Sequence, residues 1–241
     1  MIDFESSKAV NIKMVKYESK CNTITFNSSR KNTEPQNLSL NGKIIEPCNK
    51  VKLLGVIISK DLTWKENTSL ICKKVNRKFF ILCKLKQFGV SIDDLLTTWK
   101  VLLRPITEYA APLWHSGLLD SETDMLESLQ KKALGLILGT IYIDHRRYYK
   151  INGQPVNHKT ALDHLQLQSL QKRRKELTLK FAITTFKNDI HRRFFEPPAS
   201  TRTGTRSNNN VQEKSCKGTR YYNSAIPYMS RELNDVNFNT I

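Results

Sequence analysis

The hydrophobic period changes at about residue 64, and that change constrains the fold more than any other feature of the chain. Before it, apolar residues alternate or cluster in short runs. From there to about residue 187 they recur every three to four residues. A period of two belongs to strands and one near 3.6 to helices, so a β-rich beginning gives way to a helical body. The expectation is an α+β chain: a small N-terminal antiparallel β-hairpin region, a mainly α-helical bundle, and a flexible basic C-terminal segment.

In the first part, Leu38-Ser39-Leu40 and Lys43-Ile44-Ile45 flank Asn41-Gly42. Both turn residues tolerate the positive φ of a type I′ turn, so a hairpin is predicted with Leu38 opposite Ile45. Thr23 to Phe26 reads as a short strand. Val51 to Ile58 reads as a single strand buried on both faces, with Gly55 permitting a bulge or a close backbone approach.

Three amphipathic helices are expected next. Ile71, Val75, Phe79 and Leu82 form one stripe. Ile92, Leu95, Leu96, Trp99, Leu102, Leu103 and Ile106 form a second, and Met125, Leu129, Ala133 and Leu136 a third. Pro105 and Pro112 should break the second helix, and Gly139 should stop the third. A fourth helix is expected from about His158 through Leu162, Leu165, Leu170, Leu177 and Phe181. Residues 199–220 are Ser, Thr, Asn, Arg and Gly with almost no apolar content, and read as a flexible basic linker. Tyr221 to Tyr228 carry enough aromatic area to dock back on the body. The regions are therefore 1–60, 61–140, 141–198 and 199–241, without an internal repeat at a solenoid period.

Charge narrows the function. Lys and Arg number 39 against 22 Asp and Glu, a formal +17, which predicts polyanion partners. Residues 141–241 hold 18 basic and 8 acidic side chains, so the second part is the more basic. At 39% hydrophobic residues the chain can bury a core. No apolar run approaches the roughly 18 residues a membrane span needs. Asp3 and Glu5 stand where a secretory signal wants positive charge, so an intracellular location, nucleus or cytoplasm, is expected. The five cysteines are odd in number and widely spaced, and none of the five histidines joins a cysteine or another histidine at a zinc-site spacing. Neither a disulfide framework nor a metal module is expected.

Asp93-Asp94 could suggest a metal-dependent enzyme, for instance a nuclease that also uses Asp120, Glu122 or Asp124. Ser91 is a natural N-cap, however, and the two carboxylates fall in the first helical turn, where they suit the dipole, so capping is the favoured reading. His145-Arg146-Arg147-Tyr148, like His158 with His164, lacks a second half and reads as part of a solvated basic connector. Lys73, Lys74, Arg77 and Lys78 share one helix edge, which suits phosphate contacts, although solvated helix faces look the same. Lys172-Arg173-Arg174-Lys175, followed by Lys180 and Arg192-Arg193, reads as nucleic-acid contact or as a nuclear-import signal. Tyr221 and Tyr222 serve as core anchors or as stacking platforms.

Four blocks in order narrow this further. Val51-Lys52-Leu53-Leu54-Gly55-Val56-Ile57-Ile58 with Asp61-Leu62-Thr63-Trp64 is similar to the segment after the palm of LINE-type (non-LTR) retrotransposon reverse transcriptases. Leu103-Arg104-Pro105-Ile106-Thr107-Glu108-Tyr109-Ala110 with Trp114, then Leu126 to Leu134, then Arg220-Tyr221-Tyr222-Asn223-Ser224 with Pro227, resemble later elements of the jockey-like members. The resemblance covers about residues 13–235.

It implies that residues 1–60 end a palm, with a hairpin that grips the primer through Lys52, Leu54, Gly55 and Val56. Residues 61–140 would then be a thumb-like helical domain and 141–198 a basic helical connection. Lys20, in Ser19-Lys20-Cys21, would match a lysine near the incoming nucleotide, although Tyr17 stands where that motif has Asn. Glu232-Leu233-Asn234-Asp235 likewise departs from the expected Trp-Asn-x-Leu-Pro ending. The catalytic aspartates of such enzymes precede these segments, so the resemblance implies a chain that holds an RNA and DNA primer-template without polymerising. Mg²⁺ is expected only in the intact polymerase. Another reading of the same residues is a freestanding basic RNA- or DNA-binding protein, or a remnant without function.

Overall fold

The computed structural model describes residues 21–26, 38–40, 42–195, 211 and 218–236. Lys20, Asn41 and most of the predicted linker at 199–220 lie outside them, Val211 and residues 218–220 excepted, and Thr219 and Arg220 are helical rather than linker. The chain divides into two compact units, Met1–Asn67 and Thr68–Ile241. The architecture is α+β: small antiparallel hairpins near the start, then helices.

In the first unit, β1 (Leu38–Leu40) pairs with β2 (Lys43–Ile45), and Leu38 faces Ile45 as the two-residue turn requires. Thr23 forms only an isolated bridge to Pro47, so the strand expected at 23–26 is absent. The single strand expected at 51–58 is instead a second hairpin, β3 (Lys50–Leu53) with β4 (Val56–Ser59). Leu54 (φ 46°) and Gly55 (φ 88°) make its turn, both left-handed as in type I′ turns. The apolar run misled because its residues sort between two strands. Val56 is buried, while Leu53 and Leu54 are exposed. The Asn67 Oδ1 accepts the Ile57 N–H at 3.2 Å.

Helix α1 (Lys65–Gln87) carries the chain into the second unit, and its predicted stripe of Ile71, Val75, Phe79 and Leu82 is buried. Ser91 caps α2 (Ile92–Thr98): its Oγ accepts the Asp94 N–H and donates to Asp94 Oδ2 at 2.7 Å. Capping thus accounts for Asp94. Pro105 does not end this helix. The turn from Trp99 to Leu103 widens to a π-helix, with the Arg104 N–H bonded to the Trp99 carbonyl, and Pro105 then sits in the first turn of α3 (Arg104–Glu108). There its missing N–H leaves no bond unmade. Ala110, at φ 53°, turns the corner into α4 (Ala111–Trp114), which opens with Pro112.

Helix α5 (Asp120–Leu138) stops before Gly139 as expected. Its buried row keeps Leu129 and Ala133 of the predicted stripe and adds Leu126, Leu134 and Ile137, while Met125 is exposed and Leu136 only partly covered. Lys86 caps its end, donating from Nζ to the Leu136 carbonyl at 2.6 Å.

Part of the region expected to be a helical connection is a three-stranded sheet, β5 (Thr140–Ile143), β6 (Arg146–Ile151) and β7 (Gln154–Val156), in that spatial order and antiparallel. The Asp144-His145 turn (φ 46° and 61°) and the Asn152-Gly153 turn (φ 49° and 78°) join the strands. The fourth predicted helix is two, α6 (His158–His164) and α7 (Leu170–Lys187), with Gln166 at φ 51° between them. Ser169 caps α7, and Glu127 of α5 accepts the Leu170 and Gln171 N–H groups at 3.3 and 2.6 Å.

The C-terminal helices α8 (Thr219–Tyr222) and α9 (Ala225–Asn234) follow. Docking comes from α9, whose Met229 and Leu233 join Ala182, Phe195 and Val211 in one cluster. Tyr221 and Tyr222 remain about half exposed. Among the described residues, no helix is long and apolar enough to cross a membrane.

Candidate nucleic-acid interface

Helix α1 has seven basic residues and one acidic one, Glu66. With Ile71, Val75, Phe79 and Leu82 committed to the core, the helical period leaves Lys73, Lys74, Arg77 and Lys78 on the opposite side, and all four are exposed. None has an ion-pair partner among the described residues; the one acidic residue of the helix, Glu66, pairs with Lys50 at 3.6 Å. From Lys73 to Lys78 the rise is about 7.5 Å, roughly two phosphate steps along one strand of a duplex.

In the β3–β4 hairpin, Lys52 and Leu54 are exposed, Gly55 is partly covered and Val56 is buried. Leu54 is 84% exposed at its left-handed turn position. A branched apolar side chain there costs backbone strain and hides nothing from water.

The second basic run has a different fate. Arg174 is completely buried, because Leu170, Arg174, Thr178 and Ala182 form the inward row of α7. Its guanidinium lies over the Trp114 ring, 5.7 Å from the centroid. None of its three guanidinium nitrogens has a hydrogen-bond acceptor among the described residues. Burial pushes its pKa down to about 10, and the carboxylates of Glu127 and Glu108 pull the other way. Arg173 makes a two-pronged contact with Glu108, 2.5 Å from Nε and 3.0 Å from Nη2. Arg104 reaches the same carboxylate at 3.3 Å. Lys175 pairs with Glu232 at 3.2 Å. Only Lys172 of the four remains an exposed, unpaired cation among the described residues. Two of the four, Arg173 and Arg174, are thus engaged inside the second unit, while Lys172 and Lys175 face solvent. The period-four row from Leu170 to Ala182 was the available signal.

Arg192 and Arg193 are exposed, Arg192 lying 4.6 Å from the Phe186 centroid. Arg231 lies 3.6 Å from the centroid of Tyr222, so one face of that ring is already covered. His145 and Arg146 sit at the β5–β6 turn rather than in a connector, and Arg147 donates to the Tyr142 hydroxyl at 3.2 Å. The His158 Nδ1 lies 3.3 Å from the Tyr149 hydroxyl. Burial, with Lys131 nearby, lowers its pKa. The buried Glu122 accepts the Leu119 N–H at 2.9 Å, which occupies one carboxylate of the nuclease alternative. No group of three or more His, Cys, Asp or Glu residues able to hold a metal ion occurs among the described residues.

Comparisons with protein families, with curated proteins and with solved structures found no match to this chain.

Proposed function

We propose that the chain holds nucleic acid, as the primer-and-template-binding part of a LINE-type reverse transcriptase. The observation that carries this reading is the exposed, unpaired edge of Lys73, Lys74, Arg77 and Lys78 on α1. Such an edge attracts phosphates without reading bases, which suits a part that must travel along a template of any sequence. The β3–β4 hairpin supports the same reading. Its turn offers an exposed Leu54 beside Gly55, a strained apolar tip that can lie against a sugar or base, with Lys52 on the adjoining strand for a phosphate. The proposed role is positional: lysines and arginines neutralise phosphates, and any chemistry belongs to other residues. RNA and DNA, as a hybrid or primer-template, are the partners.

The experiment is titration of a labelled RNA/DNA primer-template between about 50 and 200 mM salt. Replacing Lys73, Lys74, Arg77 and Lys78 together by Ala should weaken binding at least tenfold. Binding unchanged by the fourfold replacement would overturn the proposal, since those side chains would then be merely solvated.

A further inference from the structure

A cavity of about 490 Å³ opens in the second unit, between the α2 and π-helical segment, the end of α5, the β6–β7 turn and the end of α6. Leu96, Leu138 and Ile151 are among its apolar lining residues. Its polar lining residues are rich in donors: Lys100 from the π-helical turn, Lys150 from β6, Asn152, Gln166 and His164. Asp93 is the one acidic residue of the lining. Neither Lys100 nor Lys150 has an ion-pair partner among the described residues.

Separate elements thus line one cavity with two lysines, two amide residues and a histidine against a single acidic residue, Asp93, together with several apolar residues. Both lysines belong to a chain that is already strongly basic, which favours an anionic occupant. An anion with several oxygens can take both lysines as partners, and a flat body can cover Leu96 and Ile151. The size lies within the range of small-molecule sites. Left-handed backbone at Asn152, Gly153 and Gln166 shapes the two loops that contribute Asn152 and Gln166 to the lining.

We propose that this cavity binds a small phosphate ester with a flat apolar body, of nucleoside-monophosphate size. The phosphate lies between Lys100 and Lys150, which serve as point charges toward its oxygens. The flat group lies over Leu96 and Ile151. This site is separate from the α1 edge and does not depend on it.

Calorimetric titration of the full chain with AMP, adenosine and inorganic phosphate tests the proposal. AMP should saturate and bind at least tenfold more tightly than either of its parts. Lys100→Met and Lys150→Met should each weaken AMP about tenfold, the scale of a lost charge-assisted hydrogen bond. The fourfold Ala replacement on α1 should leave AMP binding unchanged. Amide shifts on adding AMP should fall at Ile151, Asn152 and Gln166. Binding of AMP no tighter than phosphate, lysine variants with unaltered affinity, or shifts confined to α1 would each overturn the site. Both lysines lie at the surface of the cavity, and melting of the variants beside the parent confirms that they fold.

Discussion

At Glu108, one carboxylate serves three arginines: it bonds Arg173, contacts Arg104 and contributes negative potential at Arg174. Replacing Glu108 by Gln should cost about 2–4 kcal/mol in urea unfolding, because it strands cations that are partly or wholly out of water. Arg174→Met should behave in the opposite way, changing stability by less than about 1 kcal/mol or raising it. An apolar side chain of similar length keeps the contact with Trp114 and removes a desolvated charge. His115 feels the same neighbourhood. Burial, then Arg174 and Lys175 of α7, push its pKa from 6.5 down to about 4, and Tyr228 of α9 meets its ring edge-on. Between those two pH values the unfolded chain takes up a proton that the folded chain refuses. Stability should therefore fall as pH drops from about 6.5 to 4, by about 2–3 kcal/mol at most, and be unaffected by this group above that range. His115→Asn should flatten that dependence, and Arg174→Met should reduce it.

The hairpins and the helices differ in how plainly their residues announce them. Asn41-Gly42 between short apolar runs marks β1–β2, and Asn152-Gly153 is the same signal for β6–β7, although it lies in a stretch whose basic composition suggested a connector. The β3–β4 turn carries Leu where Asn would relieve strain. Leu54→Asn should stabilise that hairpin by about 0.5–1 kcal/mol, seen as slower amide exchange across β3 and β4. If Leu54 contacts the primer as proposed, the same replacement weakens primer-template binding. A gain in protection with no loss of affinity would remove Leu54 from the interface. The helices of α1 and α5 follow their apolar periods, but Pro105 shows the limit of local rules. Proline stops a regular α-helix, yet a single π turn before it lets the chain continue.

Across the molecule, the +17 charge makes binding to nucleic acid sensitive to salt whatever surface is used. A change in slope is therefore more telling than affinity alone. If the four α1 cations each meet a phosphate, their removal should lower the slope of log affinity against log salt by about 3 to 4. Diffuse attraction to the whole chain would leave the slope nearly unaltered. The change from strands to helices near residue 64, the β1–β2 register, the buried stripe of α1, the Ser91 cap and the excess of positive charge were all determined by the sequence alone. These rest on interactions between residues close along the chain, or on composition. Only the tertiary structure decided which cations face water. Lys73 and Arg174 sit in equally basic runs, and they differ because α7 turns Arg174 toward Trp114 while Lys73 stays exposed among the described residues. The Arg173–Glu108 contact and the cavity between Lys100 and Lys150 likewise join residues far apart in the chain, which no local period specifies.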